Sequence, residues 1–115
     1  MSWSFIATPV NATSKTSSTT LVGTVSAAVA VNTVLIVGVA ADNTETGNPS
    51  NSTEISTVTD SKGNTYTRRH AATNGQGAAA AGAACAIFVG IINTALVSGV
   101  DTLTVTFGSA IVAKA

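Results

Sequence analysis

Five carboxylates, Asp42, Glu45, Glu54, Asp60 and Asp101, hold most of this chain's capacity for acid–base chemistry. Glycoside hydrolysis would need two of them across a cleft, one protonated at neutral pH. Asp60 and Asp101 sit beside turn residues, which leaves Asp42, Glu45 and Glu54 around one polar loop. Nothing in their spacing separates a catalytic pair from a solvated loop. Asp42-Asn43-Thr44-Glu45-Thr46-Gly47-Asn48 gathers oxygen donors as a calcium loop does, yet lacks the alternating ligands and terminal glutamate of an EF-hand. His70 is the single histidine, which excludes a multi-histidine metal site within one chain. A Ser-His-Asp arrangement would have to use it, and no Gly-x-Ser-x-Gly elbow is present. Cys85 is alone, so no disulfide or cysteine zinc cluster forms within the chain. Its setting, Ala83-Ala84-Cys85-Ala86-Ile87, is that of a small buried hydrophobe. Gly75-Gln76-Gly77 runs on into alanines without a Gly-Lys-Ser/Thr, so nucleotide binding is unsupported. The expectation is a protein that is not an enzyme, with no catalytic residue, cofactor or metal.

The one basic cluster, Arg68-Arg69-His70, ends the stretch Glu54–His70, which reads as a β-hairpin. Both arms are rich in Thr, Val, Ile and Tyr, the residues that suit a pleated, half-buried surface. Ser61-Lys62-Gly63 has the form of a three-residue loop, with glycine where the backbone turns left-handed. Asp60 opens the turn, where its carboxylate can accept from backbone N–H groups, and Asn64 follows it. Pairing the arms sets Asp60 opposite Asn64, Val58 opposite Tyr66, and Glu54 opposite His70 and diagonal to Arg68. Cross-strand pairs of this kind contribute roughly 0.2–1 kcal/mol. Arg69 then falls opposite Ile55 on the other face, available to a neighbouring molecule. Nucleic-acid binding would want a basic face with interleaved aromatics, and the formal net charge is +0.

The 115 residues amount to one domain, of which only 9% are charged, against about 25% in an ordinary soluble domain. Thr, Ser, Asn, Ala and Gly fill the gap. Two readings follow: an extracellular domain with a hydroxyl-rich surface, or a subunit covered by its neighbours, since near-zero net charge favours association. Val25–Ala41 and Ala78–Ile92 fall short of the ~20 apolar residues of a spanning helix, so no membrane segment is expected. Met1-Ser2-Trp3-Ser4-Phe5 lacks the basic start and apolar run of a signal peptide. Asn11-Ala12-Thr13 and Asn51-Ser52-Thr53 match the glycosylation acceptor, as chance allows in a chain this rich in Asn and Thr.

These residues need positioning elements, and the pattern supplies strands. Residues 1–20 read as a polar arm or linker carrying Trp3 and Phe5, interrupted by Pro9. Residues 21–115 read as the folded domain, with strands at Leu21–Ala27, at Val34–Ala41 and along both hairpin arms. Val34–Ala41 is an unbroken apolar run of the kind found in a central strand covered on both faces. Asp42–Ser52 is a long loop, and Asn74-Gly75-Gln76-Gly77 a second turn. Ala83–Ile92 is a strand rather than a helix on Ile87-Phe88-Val89-Gly90-Ile91-Ile92. Thr102–Phe107 alternates, so Leu103, Val105 and Phe107 face a core while the threonines face solvent or a neighbour. The expected core is Val34, Ile36, Val58, Tyr66, Phe88, Leu103, Val105 and Phe107. Short strands separated by turns argue an all-β, antiparallel β-sandwich of jelly-roll or Ig-like type.

The segments Val34–Ala41, Val58–Thr67 and Thr102–Phe107 together resemble a β-sandwich module of phage virion proteins and bacterial surface proteins. That module carries an apolar strand, a val-thr-asp-ser-x-gly-asn-thr-tyr-thr hairpin and a late thr-val-thr-val-thr-phe strand. The chain departs from it in two places. Val31-Asn32-Thr33 stands where Gly-Asp is usual, and further strands usually follow the point equivalent to Ala113. The resemblance implies a last strand supplied by another subunit, or a sequence that is a fragment. It also implies a bacteriophage structural protein located in the virion, most simply a capsid decoration or cement subunit. Its partners would be other virion proteins and copies of itself in a homo-oligomer, with Trp3, Phe5 and Arg69 at interfaces. A tail or tail-fibre component is the alternative within that class. A secreted or cell-surface adhesion or carbohydrate-binding module is the alternative outside it, although that would need exposed aromatic platforms.

Overall fold

The computed structural model describes residues 4–44, 53–74 and 82–115. It contains six strands: β1 (Ser18–Thr24), β2 (Val34–Asp42), β3 (Ile55–Asp60), β4 (Tyr66–Asn74), β5 (Ala83–Ile91) and β6 (Thr102–Ile111). They form two antiparallel three-stranded sheets, ordered β1-β6-β3 and β2-β5-β4, packed face to face as a β-sandwich. The strands expected at Val34–Ala41, Ala83–Ile92 and Thr102–Phe107 are present within a residue or two at their starts; β6 runs on to Ile111.

The core lies between the sheets and follows from alternation. Leu21 on β1, Ile55 and Val58 on β3, and Leu103, Val105, Phe107 and Ile111 on β6 point inward from one side. Leu35, Val39 and Ala41 on β2, Ala71 on β4, and Ala84, Ala86 and Phe88 on β5 meet them from the other. Tyr66 packs against this cluster half-buried. Gly90 makes its place possible, since a Cβ there would lie 2.8 Å from the Tyr66 ring and 2.7 Å from the Thr65 carbonyl oxygen.

The hairpin expected over Glu54–His70 is not one. Its turn is real: Gly63 has φ +76°, and its N–H donates to the Asp60 carbonyl at 3.3 Å. The arms, however, enter opposite sheets. Val58 pairs with Val105 rather than Tyr66, and Tyr66 pairs with Gly90. The loop is thus an arch between layers. Both arms bury side chains in the same interlayer, Val58 from one sheet and Ala71 from the other, and each finds its ladder in a strand far along the chain. Turn chemistry fixes a reversal; remote strands fix the partner.

Three further expectations are corrected by position. β2 is an edge strand, and its outer face is bare: Ile36, expected in the core, is 67% exposed, and Val34 is only half-buried. Cys85 is exposed rather than buried, because Ala84, Ala86 and Phe88 take the inward positions of β5. The run preceding β1 is only partly free. Val10 and Ala12 pack against the core, and Ser26 donates to the Pro9 carbonyl from both N (2.7 Å) and Oγ (2.9 Å). Trp3, the Glu45–Ser52 part of the long loop and Gly75-Gln76-Gly77 lie outside the described residues.

Candidate interaction surface

The outer face of the β2-β5-β4 sheet is built from the positions left over once the core is filled. Register places Val34 beside Ile91, Ile36 beside Val89, Gly38 beside Ile87 and Ala40 beside Cys85. On the far side, Thr67 continues the row of Val89 and His70 that of Ile87. Ile36, Ile87 and Ile91 are 67%, 46% and 57% exposed. Contiguous apolar faces of this kind are uncommon on the surfaces of monomeric domains. A bulge between Arg68 and His70 in β4 leaves both Arg69 and His70 exposed at its margin. Arg69 is accordingly outward, as expected, though not opposite Ile55, which pairs with Phe107.

The arch undoes the expected pairing of Glu54 with His70: the two arms lie in opposite sheets, and His70 lies beside Ile87. Arg68 turns inward instead and donates across the layers to the Ile55 carbonyl at 3.2 Å. Glu54 is 3% exposed and accepts from the Thr44 N–H, tying the start of β3 to the end of β2.

The edges of this sheet differ. Ala113–Ala115 add to the end of β2: Ala40 N donates to Ala115 O and Ala115 N to Ala40 O, both at 2.8 Å, and Asp42 N donates to Ala113 O at 2.8 Å. Lys114, buried at 4% exposure, anchors that segment through Nζ, which donates to Thr16 O (2.7 Å) and Ile111 O (2.6 Å). Upstream, from Val34 to Val39, no backbone of the described residues outside the sheet pairs with the outer edge of β2. A cavity of about 870 Å³ opens there, lined by inward residues of both sheets (Leu21, Leu35, Val39, Leu103, Val105) and by Ser4–Ala12. Phe5, expected as an anchor, is 85% exposed at its margin, and Ile6 is 73% exposed.

The other edge, at the start of β4, is closed by a polar network. Asp60 Oδ1 accepts from the N–H groups of Lys62 (2.9 Å) and Asn64 (3.1 Å), and Oδ2 from Asn64 Nδ2 (2.9 Å) and the Tyr66 hydroxyl (2.6 Å). Burial pushes the Asp60 carboxyl up, but the hydrogen bonds from Tyr66, Asn64 and Lys62 together outweigh it and hold it below 3.8. Tyr66 moves the other way, raised by burial and by its bond to the Asp60 charge. Asn64 then stitches the arch to the β5–β6 connection, accepting from Asn93 N and Thr94 N at 2.8 Å and donating to Thr94 O at 2.9 Å. Asp101 accepts from Ser61 Oγ (2.6 Å) and Val97 N (2.7 Å), with Lys62 Nζ 3.6 Å away. Its carboxyl is lowered by Ser61 first, then by Val97 and Lys62. These two aspartates therefore serve turns, as their sequence positions suggested.

Chemically, the arrangement offers an exposed apolar sheet face and an apolar-lined cavity. Among the described residues, no three His, Cys, Asp or Glu side chains converge as a metal site requires, and no helix is long and apolar enough to cross a membrane. The bare sheet face escaped sequence reasoning because Val34–Val39 is apolar at both parities. One signal was present: Gly38 and Ala40 share Ile36's parity, whereas Leu35, Val37 and Val39 fill the other. Comparison with protein-family models, with curated proteins and with solved structures finds no match.

Proposed function

We propose that this chain is a non-enzymatic structural subunit of a bacteriophage virion, a capsid decoration or cement protein of jelly-roll or Ig-like type. Assembly would bury what the single chain leaves bare. The observation that carries this reading is the outer face of β2-β5-β4, where Ile36, Ile87 and Ile91 stand exposed on a chain whose formal net charge is +0. Such a surface gains stability from neighbours that bind the folded state. Arg69, exposed at the margin of that face, is placed for a polar contact at the rim, where interfaces carry their charges. The phage assignment rests on the likeness of the Val34–Ala41, Val58–Thr67 and Thr102–Phe107 segments to virion modules. Peptide mapping of gradient-purified virions from the source of this sequence tests it. Peptides of this chain in the particle band, at a fixed ratio to the major shell protein, are the expected result. Their absence from particles, with the chain recovered as a soluble monomer, would overturn it.

A further inference from the structure

We infer that the outer face of β2-β5-β4 docks on the same face of a second copy of this chain, about a two-fold axis that crosses the strands level with Val37. The register carries this. Outward positions form rows across the sheet: Val34 with Ile91, Ile36 with Val89 and Thr67, Gly38 with Ile87 and His70, and Ala40 with Cys85. Bulk and space alternate along β2. Ile36 is 67% exposed, and a Cβ added at Gly38, two residues on, would meet no atom within 4 Å. A knob and a hollow therefore stand side by side on one strand, about 7 Å apart.

The occupant is a second copy because the pattern is its own complement. Two such faces, stacked about 10 Å apart and turned about this axis, set Ile36 of each copy over Gly38 of the other. Ile87 falls over Val89 of the second copy, Val34 over Ala40, and Ile91 over Cys85. In each pair a larger side chain meets a smaller one, which is what an isologous contact requires of one surface. An axis along the strands would instead stack Ile87 on Ile87 and set Gly38 against His70. Area fixes the strength. The face has three strands of nine residues each, so it measures roughly 14 by 30 Å, or about 400 Å² per copy. A standard stable interface buries about 800 Å² per partner, so this contact belongs to the weak, reversible class. Arg69, exposed beside His70, comes to the same rim in both copies, where like charges oppose the contact until salt screens them.

The inference rests on the same exposed face as the proposed function and names a second copy as the neighbour. Sedimentation of the purified chain judges it and particle mapping judges the virion reading, so either can fail without the other. At raised salt, sedimentation equilibrium over increasing concentration should show a reversible monomer–dimer equilibrium. Gly38→Ile adds bulk where its own chain leaves room, and should weaken dimerisation about tenfold. The unfolding midpoint of the monomer should be retained or raised, since glycine weakens a strand interior. The exchanged variant, Ile36→Gly with Gly38→Ile, rebuilds knob and hollow in reverse order and should restore the dimer. A parent chain that is monomeric throughout would overturn the inference and leave the face to a different protein. So would association that Gly38→Ile leaves unchanged or strengthens, because a merely adhesive surface gains from added apolar bulk. An exchanged variant that folds without regaining the dimer would overturn it as well, and if that variant does not fold, Gly38→Ile against the parent decides alone.

Discussion

The two sheets share an inner chemistry and differ in their outer one. On β1-β6-β3 the outward positions are Thr20 and Thr24, Thr57 and Thr59, and Thr102, Thr104 and Thr106, with Val22, 54% exposed, as the apolar exception on β1 and with register setting Thr20 and Thr57 on either side of Thr106. On β2-β5-β4 the equivalent positions carry Ile36, Ile87, Val89 and Ile91. Threonine and isoleucine are both β-branched, so either face suits a pleated sheet equally well. They differ in what the face does next. Hydroxyls satisfy water, and methyl groups leave a cost that only a partner removes. Backbone geometry and outward function are therefore separable here: one set of residues makes the strand, and the polarity of alternate positions decides which side stays wet.

The largest expected effect contrasts the two sides of one strand. Phe88 is 2% exposed and its neighbour Ile87 is 46% exposed. Phe88→Ala should cost about 3–5 kcal/mol in denaturant unfolding, while Ile87→Ala should cost well under half of that. Equal losses would mean that Ile87 is as buried in solution as Phe88, and that its face is already covered.

The next test falls on the arch that sends β4 into the apolar sheet rather than the threonine one. Asp60→Ala removes the acceptor of the Tyr66 hydroxyl, of Asn64 and of two backbone N–H groups. Leaving buried donors unsatisfied costs about 1–3 kcal/mol, and the upper end of that range is expected because several lose their partner together. Coupling between Asp60→Ala and Tyr66→Phe in a double-mutant cycle would show that the network acts as a unit. A smaller loss belongs to Gly63→Ala. No atom lies within 4 Å of an added Cβ, so the whole cost, about 1–2 kcal/mol, is that of a left-handed backbone.

How much of this was legible in the sequence depends on the range of the cause. Strand positions were readable because alternation and β-branching are local, and Leu103, Val105 and Phe107 are inward as their spacing requires. The turn at Ser61-Lys62-Gly63 was readable for the same reason. Which sheet Tyr66 joins was not, because it depends on Gly90, its ladder partner on β5 far along the chain. The inward parity of β5 was misleading: Ala84, Ala86 and Gly90 are small, and the bulkier Ile87, Val89 and Ile91 face out. Volume therefore does not by itself decide which parity faces in: Ile87 and Ile91 are exposed while Ala84, Ala86 and Gly90 are buried.

Acid and alkali should loosen the arch from opposite directions. The Asp60 and Asp101 carboxyls are held low in the fold, so their contribution is complete above the unfolded value near 3.8 and is lost as pH falls through their lowered folded values. Tyr66 is raised from 10.0, so its contribution is complete below pH 10 and declines as pH rises past it. Thermal melts across pH should show a plateau with both shoulders, and Asp60→Asn should blunt both, since it removes one titrating partner and the charge acting on the other. An unchanged alkaline shoulder in that variant would detach Tyr66 from Asp60.

The smallest effect on stability is the one that bears most directly on the contrast between faces. Ile36→Thr with Ile91→Thr gives the apolar sheet the outward chemistry of the other. Both side chains are more than half exposed and threonine keeps the β-branch, so the pair should shift the unfolding free energy of the single chain by no more than about 0.5 kcal/mol. Self-association, read by light scattering at increasing concentration, should nevertheless fall. If stability dropped by several kcal/mol instead, the face would be part of the domain's own core, closed by something that folds with it. If neither quantity moved, the isoleucines would be surface residues of no consequence, and this face would not carry assembly.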